Sequence, residues 1–271
     1  MKCSNVLGVG TVFYLAVSVM AFYKGYEPYV IDCPYHAILL EQTKPNEPPR
    51  MLHCGATIIG PKVAVTVASC FYDKYFNRPR TNKFFLQAGI TFRREAGELI
   101  EVDHHVDHPE YNPNSTDYDV SLVFLKESLK FSKNIEPATI PEEPVTPDKI
   151  GRVVGFGLTQ GRDFKGGITH YQSLRLIGID APLYSQEKCV NFYEGQSEEY
   201  HVEPERMFCA GMLRGDSEQY MCPGDEGAGF IVDGALHGIL AFGLACHGRK
   251  IPDVYMNVSV LKNFILENKD Q

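Results

Sequence analysis

The chain is short of positive charge, with 26 Lys and Arg against 34 Asp and Glu and a formal net charge of -8 at pH 7. Nucleic-acid binding rests on neutralising phosphates with Lys and Arg, so this balance argues against nucleic acid and against anionic membrane surfaces as partners. Beyond residue 21 no apolar run is long enough to span a bilayer. There is also no solenoid-type repeat, no low-complexity tract and no heptad run, which leaves solenoids and coiled coils aside.

What is present begins with "MKCSNVLGVGTVFYLAVSVMA", in which Lys2 precedes an apolar stretch ending in Val19-Met20-Ala21. A basic start, a short apolar run and a small-residue end predict a secretory signal peptide over residues 1–21, cleaved after Ala21. Removing it takes away Lys2 and Cys3, so the charge becomes -9 and the cysteine count falls from 8 to 7. A secreted, extracellular location makes disulfides the default for Cys54, Cys70, Cys189, Cys209, Cys222 and Cys246. Seven is odd, so one thiol is left over. Two sequons, Asn114-Ser115-Thr116 and Asn257-Val258-Ser259, fit the same compartment as glycosylation acceptors.

Short segments rich in Val, Ile, Leu and Phe, such as "HAILLEQ", "KVAVTVAS", "KFFLQAGI", "VSLVFL" and "GFIVD", are separated by Gly, Pro and Asn. That pattern predicts an all-β protein, a sandwich or paired barrels. The exception is "VSVLKNFILENKD", where Val258, Leu261, Phe264 and Ile265 recur at helical spacing and predict a terminal amphipathic α-helix. "PATIPEEPVTPDKIG" holds four prolines and reads as an exposed connector between two halves.

With these pieces placed, the chain resembles the trypsin-like serine protease family over essentially all of residues 22–271. "CGATIIGPKVAVTVASC" is similar to that family's "CGGSLI…VVTAAHC", "DYDVSLVFL" to "DNDIALLKL", and "VVGFG" to its "GWG" segment. "CPGDEGAGF" is similar to "CxGDSGGP", and "GILAFGLAC" with "IPDVYMNVS" to the late "GIVSWGxxC" and "PGVYTxV". The resemblance implies two six-stranded antiparallel β-barrels of the trypsin type with a cleft between them and a C-terminal α-helix. It also implies the disulfides Cys54–Cys70, Cys189–Cys209 and Cys222–Cys246, which leaves Cys33 unpaired. Cys33 is then buried and inert, bridged to a mis-paired cysteine, or exposed and ready to form a disulfide-linked dimer.

Acyl transfer on this scaffold needs a hydroxyl nucleophile, an imidazole base, an orienting carboxylate and oxyanion-binding amides. At the matching positions stand Ser69 for the imidazole, Asp119 for the orienting carboxylate and Glu226 for the nucleophile. Gly224 keeps one amide of the former oxyanion hole, beside Glu226 itself. A Ser in place of the base and a Glu in place of the nucleophile imply an inactive homologue, a pseudoprotease and not an enzyme.

The family's activation amine maps to Phe22, within Phe22-Tyr23-Lys24-Gly25, and the Asp that receives it to Asp225. At the former specificity pocket stand Tyr220, Gly243 and Asp253, a Tyr and an Asp that fill the pocket rather than open it.

"EVDHHVDHPEYNP" places Asp103, His105 and Asp107 on one strand face with His104 and His108 near the other. It reads as a polar edge strand and not as a metal site, and no cofactor is expected. The functional expectation is a secreted protein acting by protein binding, as cofactor, decoy or regulator of proteases, inhibitors or other secreted proteins. Its resemblance to insect homologues points to reproductive or immune fluids, and to seminal or other gland secretion in particular. The alternative is a weak or altered hydrolase using Asp119 and Glu226.

Overall fold

The computed structural model describes residues 25–73, 77–162, 168–196, 200–211, 221–244 and 251–270. Its first half holds β1 (His36–Gln42), β2 (Arg50–Ile58), β3 (Val63–Thr66), the short pair β4 (Tyr72–Asp73) and β5 (Arg78–Pro79), β6 (Lys83–Ala88), β7 (Glu98–Asp107) and β8 (Ser121–Leu125). Six of these close into a barrel in the order β1-β2-β3-β8-β7-β6. Closure removes the exposed strand edges that would otherwise template aggregation. The alternation in β6 shows how sequence chooses the inner face: Phe84, Leu86 and Ala88 are buried, whereas Lys83 is exposed and Phe85 and Gln87 are half-buried.

The second half holds β9 (Ile150–Gly155), β10 (Leu158–Arg162), β11 (Ile168–Gln172), β12 (Ile177–Pro182), α1 (Gln186–Tyr193), β13 (Met207–Ala210), β14 (Gly229–Val232), β15 (Ala235–Phe242), β16 (Asp253–Asn257) and α2 (Val258–Asn268). Its main sheet runs β12-β9-β14-β15-β16-β13. One antiparallel bridge, Leu183 to Ala210, links the chain at its two outer strands, so the sheet curls towards closure. The expected pair of six-stranded β units is therefore present, one closed and one curled. The four-proline segment lies between β8 and β9, where it joins them.

The terminal helix starts at Asn257, whose side chain accepts a hydrogen bond from the Ser259 amide and so satisfies a free N–H of the first turn. Val258, Leu261 and Ile265 pack its inner face into the core. The helix α1 has no strong apolar stripe in the sequence and was not expected. Ser185 caps it, and Cys189 and Tyr193 anchor it. Among the described residues no helix is long and apolar enough to cross a membrane.

Disulfides join Cys54 to Cys70 and Cys189 to Cys209. Cys222 is disulfide-bonded as well, and its expected partner Cys246 lies outside the described residues. Cys33 is fully buried, its thiol donates to the Tyr29 carbonyl at 3.4 Å, and burial pushes that thiol up to about 12. Of the three sequence alternatives this is the buried, inert one, and an exposed thiol for a disulfide-linked dimer is not what the fold offers. The Cys54–Cys70 bond ties β2 to the turn that carries Ser69. Replacing both cysteines by Ala is expected to cost about 3 kcal/mol in a chemical denaturation experiment.

Candidate active-site cleft

Each element of the site ends where its buried run ends. Val63 to Ala68 are all buried, and the chain then turns through a short 3-10 segment, Ala68–Phe71, that leaves Ser69 half-exposed at the barrel edge. Its backbone N–H donates to Asp119 Oδ1 at 2.7 Å. Asp119 itself is 5% exposed and sits just before β8. The carboxylate at the orienting position thus meets the backbone of residue 69, where the chain has no imidazole to offer.

Glu226 occupies a tight turn entering β14. The Gly224 N–H donates to Glu226 Oε2 at 2.6 Å, so the side chain folds back onto its own loop. The Glu226 carbonyl accepts from Gly55 N–H at 2.7 Å, and the Thr66 hydroxyl donates to the Gly55 carbonyl at 2.7 Å. These contacts clamp the turn of the second half onto strands of the first. Gly227 is needed at this clamp, because its φ is +89° and a Cβ there would collide with Thr66 Oγ1 and the Gly55 carbonyl.

Asp225 is 1% exposed, and its Oδ1 accepts from Gly157 N–H at 2.7 Å. Gly155 and Gly157 make room for it, since a Cβ on either would run into the carboxyl group. Burial raises its pKa to about 7, with the Glu226 charge adding to the rise and the Gly157 amide opposing it. The residue expected to bring it an amine, Phe22, lies outside the described residues, as does the predicted signal peptide.

Asp253, expected at a specificity pocket, is fully buried and accepts from Met221 N–H at 2.7 Å through Oδ2. Its Oδ1 has no hydrogen-bond partner among the described residues, and it stands where a Cβ of Gly243 would be. Burial pushes this carboxyl well above the usual range, with the Asp225 and Glu226 charges adding to the rise. Gly243 lines the cleft, and Tyr220 lies outside the described residues.

Between the two halves runs a cleft of about 730 Å³ whose lining includes Ser69, Asp119, Gly224 and Glu226. Sequence motifs did not point to several of its walls: Tyr72, Arg80, Tyr111 and Tyr200 come from loops and short pairs. Burial and the Asp119 and Asp107 charges push the Tyr111 hydroxyl up, so it stays protonated. Arg80 points back to Glu41, with Nη1 to Oε2 at 3.3 Å. Arg206 is another residue the motifs missed. It donates twice to Asp117, at 2.8 and 2.7 Å, and covers the Tyr118 ring at 4.9 Å. Tyr118 has a φ of +51°, a costly conformation for a bulky residue, next to Asp119. Arg206→Ala is expected to cost about 2 kcal/mol in denaturation and to raise hydrogen exchange at residues 117–119.

The sequence's histidine-rich strand is used for packing. His105 pairs with Asp107 at 2.8 Å and stacks on Phe71, and His104 pairs with Asp103 at 2.9 Å and stacks on Phe124. His108 stacks on Tyr118. No group of three metal-ligating side chains converges among the described residues.

A family model described as Trypsin matches residues 23–265. A trypsin of Simulium vittatum is 32% identical over 207 residues, 75% of this chain and 75% of that protein. Trypsin zeta of Drosophila erecta is 30% identical over 88% of this chain and 79% of that protein. A trypsin of Phaedon cochleariae is 26% identical over 91% and 87%. These matches overturn the expectation that the chain is not an enzyme. The family model runs through both halves and the cleft, and the matching proteins are named trypsins, so exchanges at residues 69 and 226 do not set the chain outside an enzyme family. On the span of the family match, residues 23–265, and on 32% identity over 75% of the chain, the chain belongs to the trypsin family of serine proteases.

Proposed function

We propose that this protein is secreted and that it holds an extended polypeptide segment of another protein in the cleft between its two β units. The observation that carries this reading is the cleft itself, about 730 Å³ with Asp119 and Glu226 among its lining residues. Clefts of this size are the usual place for a ligand, and carboxylate-lined ones favour cationic partners. A chain segment bearing Lys or Arg and free backbone N–H groups suits it best. Binding of such a segment is the step that trypsin-type cleavage and partner docking have in common, so the proposal stands on the cleft and not on turnover. The partner is a protein of the same fluid, a protease, an inhibitor or another secreted chain. Secretion is supported by the disulfides Cys54–Cys70 and Cys189–Cys209, which persist in oxidising compartments.

Fluorescence polarisation with labelled Lys- and Arg-containing peptides tests it, with cleavage followed by mass spectrometry in the same samples. Saturable binding that weakens with salt and disappears in Ser69→Trp, at unchanged melting temperature, is the expected result. Binding that survives Ser69→Trp would place the ligand elsewhere and end the proposal.

A further inference from the structure

The cleft has a lip that carries a sequon. Residues 112–117 form a compact turn there: Ser115 N–H donates to the Asn112 carbonyl at 2.9 Å, and Asn114 N–H donates to Asn112 Oδ1 at 3.0 Å. Asn114 is exposed and lines the cleft, as do Ser115 and Thr116. Together the three spell an N-glycosylation sequon, Asn-Ser-Thr. The turn is held from both sides, since the Thr116 hydroxyl donates to the His201 carbonyl at 3.1 Å and Asn77 donates its side-chain amide to Asn114 Oδ1. A group attached here is therefore fixed at the cleft mouth and not carried on a loose loop.

The geometry points to an N-linked glycan on Asn114 that stands over the cleft, admitting a slim, extended segment of a partner while keeping bulky groups out. This rests on the secretory reading given above. In the modification, Asn114 Nδ2 bonds to C1 of the first N-acetylglucosamine of a polyprenyl-diphosphate oligosaccharide. The C1–O bond breaks, the diphosphate leaves with the electron pair, and Nδ2 gives up one proton. One N–H remains on Nδ2. It suffices for the present hydrogen bond to Asn112 Oδ1 at 3.1 Å, so the turn keeps its shape when modified. The second sequon differs in kind. Asn257 Oδ1 accepts from the Ser259 amide at 3.1 Å and from its hydroxyl at 2.8 Å, which closes the first turn of α2 and leaves the cleft untouched.

The test uses the full chain secreted from eukaryotic cells, with enzymatic glycan release before peptide mass spectrometry. Conversion of Asn114 to Asp on release is the expected result. The gate is then read with Ser69→Cys, whose thiol faces the cleft while native Cys33 stays buried; should this thiol mis-pair, Tyr111→Cys serves the same purpose. A small maleimide is expected to label glycosylated and released forms at the same rate. A polymer-linked maleimide is expected to label the released form at least about tenfold faster, because a bulky glycan no longer blocks its approach. Thr116→Ala, which removes the sequon but keeps the Asn114 amide, is expected to behave like the released form. Secreted protein with bare Asn114 would overturn the glycan alone. Equal polymer labelling in all forms would overturn the gate. Protein kept inside the cell with bare Asn114 would overturn this inference and the secretory reading together.

Discussion

Gly227→Ala is expected to leave little folded protein. The left-handed backbone at φ +89° costs about 1–2 kcal/mol for any residue with a Cβ. The added carbon also meets the Gly55 carbonyl, a backbone atom that cannot swing aside, and Thr66 Oγ1. Relief requires parting Gly55 N–H from the Glu226 carbonyl, now at 2.7 Å, and with it the clamp between the two halves. The summed cost is about 5 kcal/mol, which belongs with the few substitutions that abolish folding of a marginally stable domain. Gly234→Ala is the control. Its φ is +81°, yet nothing lies within 4 Å of its Cβ, so only the backbone penalty of about 1 kcal/mol applies. The yield of folded protein, with the denaturation midpoint of whatever folds, compared between the two variants separates backbone strain from collision. Equal losses in both would show that the clamp at Gly55 and Thr66 contributes nothing.

The second large effect is a dependence of stability on pH that runs opposite to ordinary acid denaturation. Burial holds the folded pKa of Asp225 at about 7 against the 3.8 usual for an aspartate, so between these values the folded state holds a proton that the unfolded chain has lost. Its contribution to stability is therefore full below pH 4 and is lost as pH rises through 7. A shift of about three pH units corresponds to about 4 kcal/mol across that window. Asp253 is raised by burial in the same direction and adds to the slope. Asp225→Asn keeps the hydrogen bond from Gly157 N–H but cannot ionise, so its stability profile between pH 4 and 7 is expected to be flatter than the native one. Urea denaturation at half-unit pH steps measures this. Parallel profiles for native and variant protein would mean that the Asp225 carboxylate is stabilised in its charged form.

The barrels were legible because their strands carry their own signals. "HAILLEQ" became β1 without adjustment, and the alternation of "KFFLQA" set the inner face of β6. The cleft was legible only in part. Ser69, Asp119, Gly224 and Glu226 sit in motifs, and the fold brings all four to one lining. Tyr72, Tyr111 and Arg206 were not foreseen, because their roles depend on loops from different halves meeting in space. Nothing local to Arg206 signals that Asp117, 89 residues away, is its partner. Residue identities at two positions also misled in one respect. They were read as removing the chain from the enzymes, whereas the family match follows the whole pattern of strands and turns.

Polypeptide ligands are expected to enter the cleft between the two β units. Photo-crosslinking with a Lys- and Arg-containing peptide that carries a benzophenone, followed by mapping of the attachment sites, tests it most directly. Crosslinks confined to residues that line the cleft, such as Ser69, Tyr72, Asn77, Arg80, Tyr111, Tyr200 and Glu226, are predicted. Crosslinks centred instead on the exposed Tyr29, Phe92 and Leu174, outside the cleft lining, would contradict it.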